Sequence, residues 1–257
     1  MTSSSSAQRK RVGPFSDVQD QIDYYFPSDT RPHPYRQLEA RIEKYLDPEG
    51  AVLDVGCGYG APNLRKLQGR ASRLVGIDLI EFDEQVEGLD LFQASVSDMP
   101  LIADGSISLA YSRSVMEHVE DADGAFRELA RVLRPGGHYV FLTPNRYDYA
   151  SIFASIVPNK AHGKVVKYVS GRDERDTFPT CYNANTFRDI RRLSAANGFR
   201  IVEIQRLTQY PSYFLFSRPL FYLGCHYENL LDAVPMLDVL KGWILCVVQR
   251  EPVAGGS

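Results

Sequence analysis

Three glycines at alternate positions follow a short apolar run in the first quarter of the chain. The run Ala51–Val55 is too short for an amphipathic helix and predicts a buried strand, which Gly56, Gly58 and Gly60 end. Glycines there let the backbone turn sharply and let a ligand approach where a side chain would block it. The segment predicts a strand, a turn and a nucleotide-like ligand at the next helix, with a plain tight turn as the alternative.

Apolar periodicity divides most of the chain into alternating helices and strands. Such alternation implies βαβ units, a parallel sheet and right-handed crossovers. The segment Arg-Pro-Gly-Gly at 134–137 is expected to end a helix before the next strand begins. Beside Ala51–Val55, the predicted strands are 72–77, 89–94, 106–111, 138–143, 199–207 and 243–248, and the predicted helices are 35–46, 63–68, 123–133 and 187–196.

Two long stretches, 144–185 and 210–238, do not fit the alternating pattern. Loops of this length within a compact domain are usually functional or contain their own helices. We expect residues 35–257 to form one domain in which both stretches are inserts. Residues 1–34 are expected to form a flexible tail followed by an N-terminal arm.

Charge and cysteine usage exclude several classes of function. Lys and Arg number 29 against 32 Asp and Glu, so the net charge of −3 provides no overall attraction to nucleic acid. The four cysteines lie far apart without a C-x-x-C pair, and the five histidines lack the pairing of a metal site. The serine-rich start is followed by no apolar stretch, unlike a signal peptide or an anchor. We expect a cytoplasmic chain without metal.

Two acidic residues distinguish between the ligands that such a glycine turn can bind. Asp78 ends the second predicted strand, where doubly wound folds place a carboxylate for ribose hydroxyls. Gly56, Gly58 and Ala61 satisfy a loose dinucleotide fingerprint. However, Asp54 lies two residues before the first glycine, where it would repel a pyrophosphate and attract an ammonium and a sulfonium group. The sequence therefore favours a cationic cofactor over a nicotinamide dinucleotide.

Segment 52–60, together with Asp78 and Leu-Arg-Pro-Gly-Gly at 133–137, resembles the class I S-adenosylmethionine-dependent methyltransferases. Met-Glu-His-Val at 116–119 is typical of their small-molecule branch, and the resemblance covers roughly residues 35–143. It implies an α/β fold with a doubly wound, mostly parallel seven-stranded sheet of order 3-2-1-4-5-7-6 and helices on both faces. The strand at 243–248 is then the antiparallel one.

The resemblance implies that S-adenosyl-L-methionine binds at the carboxyl ends of the strands. Asp54 and the backbone at Gly56 and Gly58 would hold its methionine part, Asp78 its ribose hydroxyls, and Leu79 would flank the adenine. The complete set of predicted cofactor contacts is Asp54, Gly56, Cys57, Gly58, Asp78, Leu79, Ser95, Val96 and Ser112.

The adenine contact after the third strand departs from the family pattern. Similar proteins often have an aspartate there that binds the adenine amine, and this chain has Ser95 in its place. Either the Ser95 hydroxyl accepts that hydrogen bond, with the Val96 backbone nearby, or Asp98 reaches back to do so.

Methyl transfer needs a nucleophile held in line with the methyl group and protected from water. A base is needed only for an acceptor that arrives protonated. His118 is the candidate catalytic residue, although in similar proteins it more often contributes to the cofactor pocket. The segment 112–115 lacks the N-P-P-Y type motif of enzymes that methylate nucleic-acid amines.

The acceptor is expected to contact the arm and the inserts, which either close over the cofactor or pack against the domain. The aromatic stretch 210–223 is too short to span a bilayer. It suits a pocket wall, a homodimer face or a surface resting on lipid. The basic stretch 160–175 suits either an anionic group or a solvated lid. Candidate substrate-binding residues are Tyr25, His33, Tyr147, His162, Tyr182 and Tyr213.

Taken together, these patterns predict an S-adenosylmethionine-dependent methyltransferase acting on a heteroatom or carbon of a small, partly apolar acceptor. One alternative is a protein or lipid-linked acceptor recruited by the aromatic stretch. Another is a binding protein that retains the cofactor pocket without catalysis.

Overall fold

The computed structural model describes residues 17–82, 86–149 and 179–252. Seven strands of these ranges form one sheet in the order β3-β2-β1-β4-β5-β7-β6. β7 is antiparallel to β5 and β6, and the remaining pairs are parallel. The fold class and strand order are as predicted. The strands are β1 (Ala51–Val55), β2 (Arg73–Asp78), β3 (Asp90–Gln93), β4 (Ile107–Arg113), β5 (Leu133–Pro144), β6 (Phe199–Leu207) and β7 (Trp243–Arg250).

Helices cover both faces of the sheet. Neighbouring residues of a strand point to opposite sides, and all five residues of β1 are buried, so both faces need a covering layer. In β1, Val52 packs with Leu38 and Ile42 of α2, whereas Leu53 belongs to the core that includes Phe126 of α4. The described helices are α1 (Val18–Tyr25), α2 (Pro34–Tyr45), α3 (Pro62–Arg65), α4 (Ala122–Val132), α5 (Phe187–Ala196) and α6 (Arg218–Ala233), with 3-10 turns at Met116–His118, Ser212–Phe214 and Pro235–Leu240.

Two predicted boundaries are wrong. The stop at 134–137 lies within β5, which begins at Leu133 directly after α4. Leu133 pairs with Ile107, and the next pair joins Leu109 to His138, so the glycine segment is an irregularity inside the ladder. The α3 helix, Pro62–Arg65, is also shorter than the predicted 63–68. Residues 187–196 form a helix as predicted, capped by Thr186.

The second insert lies over the carboxyl edge of the sheet. β6 ends at Leu207 opposite Trp243 of β7, which in turn pairs with Pro144 at the end of β5. The segment 208–242 therefore leaves and re-enters the sheet at that edge. Arg31 donates hydrogen bonds to Thr208, which brings the N-terminal arm to the same place. We call residues 17–33 and 208–242 the cover.

The cover has a small apolar core of its own. Its buried members are Phe26, Phe221 and Cys225, with Tyr25 and Phe214 packed against them. The arm therefore includes a helix, α1, and packs on α6, which periodicity alone did not predict. In the described ranges, no helix combines the length and the apolar character needed to cross a bilayer.

Candidate functional site

The glycine turn bends the chain around the end of β2. The amides of Gly56 and Cys57 both donate to the carbonyl of Ile77, at 2.8 and 3.1 Å. Gly56 has φ +74° and Gly58 has φ +68°, in the left-handed region that side chains disfavour. A Cβ at Gly56 would lie 2.3 Å from a methyl of Val115, whereas one at Gly58 would meet nothing within 4 Å. Gly58 thus presents bare backbone to open space.

Asp54 places a buried carboxyl group at the end of β1. Its side chain is 3% exposed, and Oδ2 accepts a hydrogen bond from the Tyr111 hydroxyl at 2.8 Å. Burial raises the pKa of Asp54 to about 7, against the opposing effects of Tyr111 and Arg113. A positive ligand group would stabilise its charged form, so Asp54 suits a cationic ligand.

Asp78 connects β2 directly to the glycine turn. Its Oδ2 accepts from the Gly58 amide at 2.8 Å, and its Oδ1 accepts from the Ile80 amide at 3.3 Å. The acid and the glycine that the sequence placed at separate strand ends are therefore in contact. Cys57 beside them is buried, and burial raises the pKa of its thiol to about 12, so the thiol is neutral.

The remaining predicted cofactor residues occupy different settings. Leu79 is 56% exposed beside Asp78. Ser95 is half-buried, and its hydroxyl accepts from the Ser97 amide at 3.2 Å, whereas Asp98 of the same turn is exposed. Val96, next to Ser95, is buried.

Ser112 differs from these residues because its side chain lies in the core. Its hydroxyl shares a hydrogen bond of 2.7 Å with the Tyr139 hydroxyl. This leaves the backbone of Ser112, rather than its side chain, for the predicted cofactor contact.

The residues at this edge fit S-adenosylmethionine. Asp54 offers a buried carboxylate for the positive charges of the methionine part, and Gly58 offers the open backbone that close approach requires. Asp78 has the position for ribose hydroxyls at the end of β2. Leu79 offers an exposed apolar side chain for the adenine ring.

His118 lies in the 3-10 turn after β4. Its Nδ1 is 3.0 Å from the carbonyl of Pro179, and its Nε2 is 3.9 Å from Oε1 of Glu117. Glu117 is 4% exposed, and its Oε2 accepts from the hydroxyl of Thr143 in β5 at 3.1 Å. The backbone carbonyl of Glu117 also accepts from the amide of Tyr182. Two predicted residues, His118 and Tyr182, are thus brought together.

The cover contains three other predicted substrate residues, Tyr25, His33 and Tyr213. The ring of Tyr25 lies 5.8 Å from His226 and 6.2 Å from Tyr222 of α6. The ring of His33 lies 5.6 Å from Tyr210. Burial and then Arg113 lower the pKa of His33, which favours its neutral form.

Tyr213 and Tyr147 are both partly exposed, at 44% and 46%. Tyr147 follows β5, where its amide donates to Asn145. His162 and the basic stretch 160–175 lie outside the described residues.

Two polar residues near this edge, Arg113 and Glu228, were not predicted from the sequence. Arg113, at the end of β4, affects the pKa of both Asp54 and His33 and so lies between the cofactor residues and the arm. Glu228 is 2% exposed on the buried face of α6. Glu228 lies three positions after Cys225 and seven after Phe221, so the helical period places it on the same apolar face. Charged residues are rare on such a face, and this spacing could have indicated Glu228 from the sequence.

In the part of the chain that the structure describes, no group of three or more His, Cys, Asp or Glu side chains has the geometry of a metal site.

The apolar residues of the aromatic stretch 210–223 are partly buried in the cover and partly exposed. Phe221 is buried in the cover, whereas Leu220 and Leu223 are 40% and 66% exposed on α6.

Comparisons with known proteins identify the family of this chain. A family model described as a methyltransferase domain matches residues 29–204. A probable S-adenosylmethionine-dependent methyltransferase of Mycolicibacterium smegmatis is 28% identical over 171 residues, covering 60% of this chain and 62% of that protein. A ubiquinone biosynthesis O-methyltransferase of Acinetobacter baylyi is 30% identical over 115 residues, covering 41% and 48%. The chain thus matches about half to three fifths of these relatives' length.

A solved structure shares the fold. Geranyl diphosphate C-methyltransferase from Streptomyces coelicolor A3(2), determined with S-adenosyl-L-homocysteine, superposes with a TM-score of 0.55 at 18% identity. The match covers 84% of this chain and 76% of that one. The family model covers well over half of this chain, including the glycine turn, both acids and His118. The chain belongs to the methyltransferase-domain family, among the class I S-adenosylmethionine-dependent methyltransferases.

Proposed function

We propose that this chain transfers a methyl group from S-adenosylmethionine to a heteroatom or carbon of a small, partly apolar acceptor. One observation carries the proposal: the buried Asp54 carboxyl, the open backbone of Gly58 and the Asp78 carboxylate meet at one edge of the sheet. The name of the ubiquinone biosynthesis relative supports a small acceptor.

When bound, S-adenosylmethionine supplies an electrophilic methyl group on a sulfonium. Asp54, at the end of β1, would hold the positively charged part of the cofactor, and the Tyr111 hydroxyl donates a hydrogen bond that orients this carboxylate. Arg113 adds a positive charge near Asp54 and thereby favours the ionised form. These residues bind and orient the reacting group, and positioning of this kind provides much of the rate of an in-line displacement.

His118 is the base in this proposal when the acceptor arrives protonated. The Pro179 carbonyl can only accept a hydrogen bond, so Nδ1 of a neutral His118 is the donor and Nε2 is the basic nitrogen. Glu117, 3.9 Å from Nε2, lies beside the positive charge that the ring acquires when it takes a proton.

The cover protects the reaction from water. Its apolar core joins α1 to α6 above the carboxyl edge, and Arg31 connects the arm to Thr208 and Asp232. Exclusion of water strengthens the interaction between Asp54 and the cationic cofactor.

Calorimetry with the full chain tests the proposal. We expect S-adenosylmethionine to bind with a Kd on the order of micromolar, and Asp78→Ala to weaken binding by at least about 10-fold through lost hydrogen bonds to a charged group. Asp104→Ala is the matched control, because Asp104 is an exposed carboxylate before β4, at the opposite edge. Unchanged binding in Asp78→Ala would refute the ribose assignment.

Formation of S-adenosylhomocysteine then tests transfer. A turnover signal with a small acceptor supports the proposal. Methylation only of a macromolecule in lysate would instead indicate a protein or lipid-linked acceptor. Cofactor binding without turnover across a broad acceptor panel would indicate a binding protein.

A further inference from the structure

Arg113 is the last residue of β4, and its backbone is fixed in the sheet. It pairs with Leu142 of β5, and the amide of the next residue, Ser114, donates to the Leu142 carbonyl at 2.9 Å. Ser114 has φ +58°, a left-handed conformation that residues other than glycine rarely adopt. Backbone strain of this kind is found most often at functional sites. The end of β4 is therefore a rigid place from which a side chain can bind a ligand.

The register of the sheet places Arg113 beside the proposed cofactor residues. Side chains alternate along a strand, so Tyr111 and Arg113 lie on the same face of β4. Tyr111 pairs with Asp54 of β1, and its hydroxyl donates to the Asp54 carboxylate at 2.8 Å. A Cβ at Gly56 would lie 2.3 Å from a methyl of Val115, two residues after Arg113. The end of β4 thus packs directly against the glycine turn.

β1 and β4 form the switch point of the sheet. The chain continues from β1 to β2 and β3 on one side, and from β4 to β5 on the other. In open α/β sheets, ligands bind outside the carboxyl ends of the strands at such a point. The proposed cofactor residues Asp54 and Asp78 lie on the β1 and β2 side. Arg113 borders the other side, which leaves it for the acceptor.

The guanidinium of Arg113 contacts an aromatic ring rather than an acid. Its central carbon lies 4.5 Å from the centroid of the Tyr35 ring, and Arg113 is half-buried. Within the ranges that the structure describes, this side chain forms neither a hydrogen bond nor an ion pair. Three other half-buried arginines, Arg31, Arg131 and Arg206, each have a carboxylate at 2.6 to 2.9 Å. The N–H donors of Arg113 are therefore available to a ligand.

Tyr35 belongs to a group of rings from three parts of the chain. Its ring centroid is 5.7 Å from Trp243 of β7 and 4.7 Å from His33 of the arm. His33 in turn lies 5.6 Å from Tyr210 of the second insert. Burial and then the charge of Arg113 lower the pKa of His33, so this ring is neutral. Flat, uncharged surfaces beside a guanidinium suit a planar apolar group that carries an anion.

We propose that the acceptor is a planar carboxylate, and that Arg113 binds its carboxylate group while the neighbouring rings contact its apolar part. The inference rests on the proposed function and adds the acceptor class and a specificity-determining residue to it. A guanidinium presents two parallel N–H groups that match the oxygens of a carboxylate, and it retains them when it stacks on a ring. An acceptor with an ammonium group would be repelled by Arg113.

Pairs of carboxylates and neutral amides test the site in the full chain saturated with S-adenosylhomocysteine, at about pH 8 and one ionic strength. Benzoate is compared with benzamide, and cinnamate with cinnamamide, and acetate is the carboxylate without a ring. At millimolar concentrations, we expect benzoate and cinnamate to raise the Tm by about 2 °C or more. The amides and acetate should have no effect, because each lacks one of the two interactions.

Two substitutions at Arg113 assign the effect to this residue. Arg113→Met should weaken benzoate binding by about 10-fold or more. Arg113→Lys should weaken it by about threefold, because lysine keeps the charge without the paired donors, and this variant keeps the test valid if Arg113→Met is unstable. Arg73→Met is the matched control, since Arg73 is a half-exposed arginine at the first residue of β2, on the opposite edge. It should bind benzoate like the natural chain.

A role of Arg113 at the cofactor carboxylate would give a different result. 5′-Methylthioadenosine lacks the amino-acid part of S-adenosylhomocysteine. If Arg113→Met weakened S-adenosylhomocysteine binding by more than about 10-fold without weakening 5′-methylthioadenosine binding, the inference would be overturned. Equal responses to benzoate and benzamide, or benzoate binding that survives both substitutions, would overturn it as well. Failure of the natural chain to bind S-adenosylhomocysteine would instead contradict the proposed function.

Discussion

We call the carboxyl edge of the sheet at Asp54, Gly56, Gly58 and Asp78 the cofactor edge. This region and the cover are stabilised by different kinds of contact. At the cofactor edge, backbone amides do most of the binding, as in the bond from Gly58 to Asp78, 20 positions along the chain. In the cover, the side chain of Arg31 binds Thr208 and Asn229, which are 177 and 198 positions away. The first region is specified by neighbouring strand ends, and the second only by the finished fold.

Because of this difference, we expect the cofactor edge to determine cofactor affinity and the cover to determine how the site is closed. Substitutions at the cofactor edge should change affinity for S-adenosylmethionine, because the proposed cofactor site is built from that backbone. Substitutions in the cover should change stability and acceptor binding with little effect on the cofactor.

Gly56→Ala should have the largest effect. The variant combines a disfavoured φ of +74° with a Cβ 2.3 Å from Val115, at the turn that shapes the cofactor site. We expect affinity for S-adenosylmethionine to fall more than about 100-fold, and stability to fall by about 3 kcal/mol. Gly69→Ala is matched, since Gly69 has the same φ of +74° and nothing within 4 Å. Equal cofactor affinity in the two variants would show that the turn is not the binding element.

Sequence reasoning reached the cofactor edge because its signals are local. A strand, its glycines and the acid at the next strand end lie within one βαβ unit, and parallel strands bring their carboxyl ends together. Glu228 was missed because its environment is formed by residues from the loop after β5, the arm and α6. The boundary at Leu133 was missed because the glycines that usually stop a helix lie inside the β4–β5 ladder.

Asp54→Asn should stabilise the fold and weaken the cofactor complex. The folded pKa of about 7 lies above the ordinary value of 3.8, so ionisation of Asp54 makes the protein less stable as pH rises between these values. At about pH 8 the free energy of unfolding of the variant should therefore exceed that of the natural chain by about 2 kcal/mol, which gives a Tm several degrees higher. Near pH 4 this advantage should be much smaller.

The same substitution should weaken S-adenosylmethionine binding by about 10- to 100-fold at about pH 8. In the natural chain, affinity should rise as pH increases towards the pKa of about 7, because only the charged carboxylate attracts the sulfonium. The variant should lack this pH dependence in calorimetry. A pH profile that survives Asp54→Asn would assign the titration to another group.

Arg31→Met should open the cover and leave the cofactor edge intact. The substitution removes hydrogen bonds to Thr208 and Asn229, the ion pair with Asp232 and the contact over the ring of Phe26. We expect a loss of about 2 kcal/mol, seen as a Tm about 5 °C lower, with cofactor affinity within about twofold. Arg36→Met is the control in α2, directly after the arm, because that side chain is 79% exposed. If both variants lose the same stability, Arg31 does not hold the cover.

Ser95→Ala should give the smallest effect and settles which group replaces the family's aspartate. A hydroxyl that accepts one hydrogen bond from the adenine amine contributes about 1 kcal/mol, so its loss should weaken S-adenosylmethionine binding by about 2- to 10-fold. Asp98→Ala should change nothing, since Asp98 is exposed and its turn is closed by its own amide binding the Ser95 carbonyl. The reverse outcome would assign the adenine contact to Asp98. Val96, next to Ser95, packs in the main core and not in the core of the cover. We therefore expect Ser95→Ala to change cofactor affinity and to leave the stability of the cover unchanged.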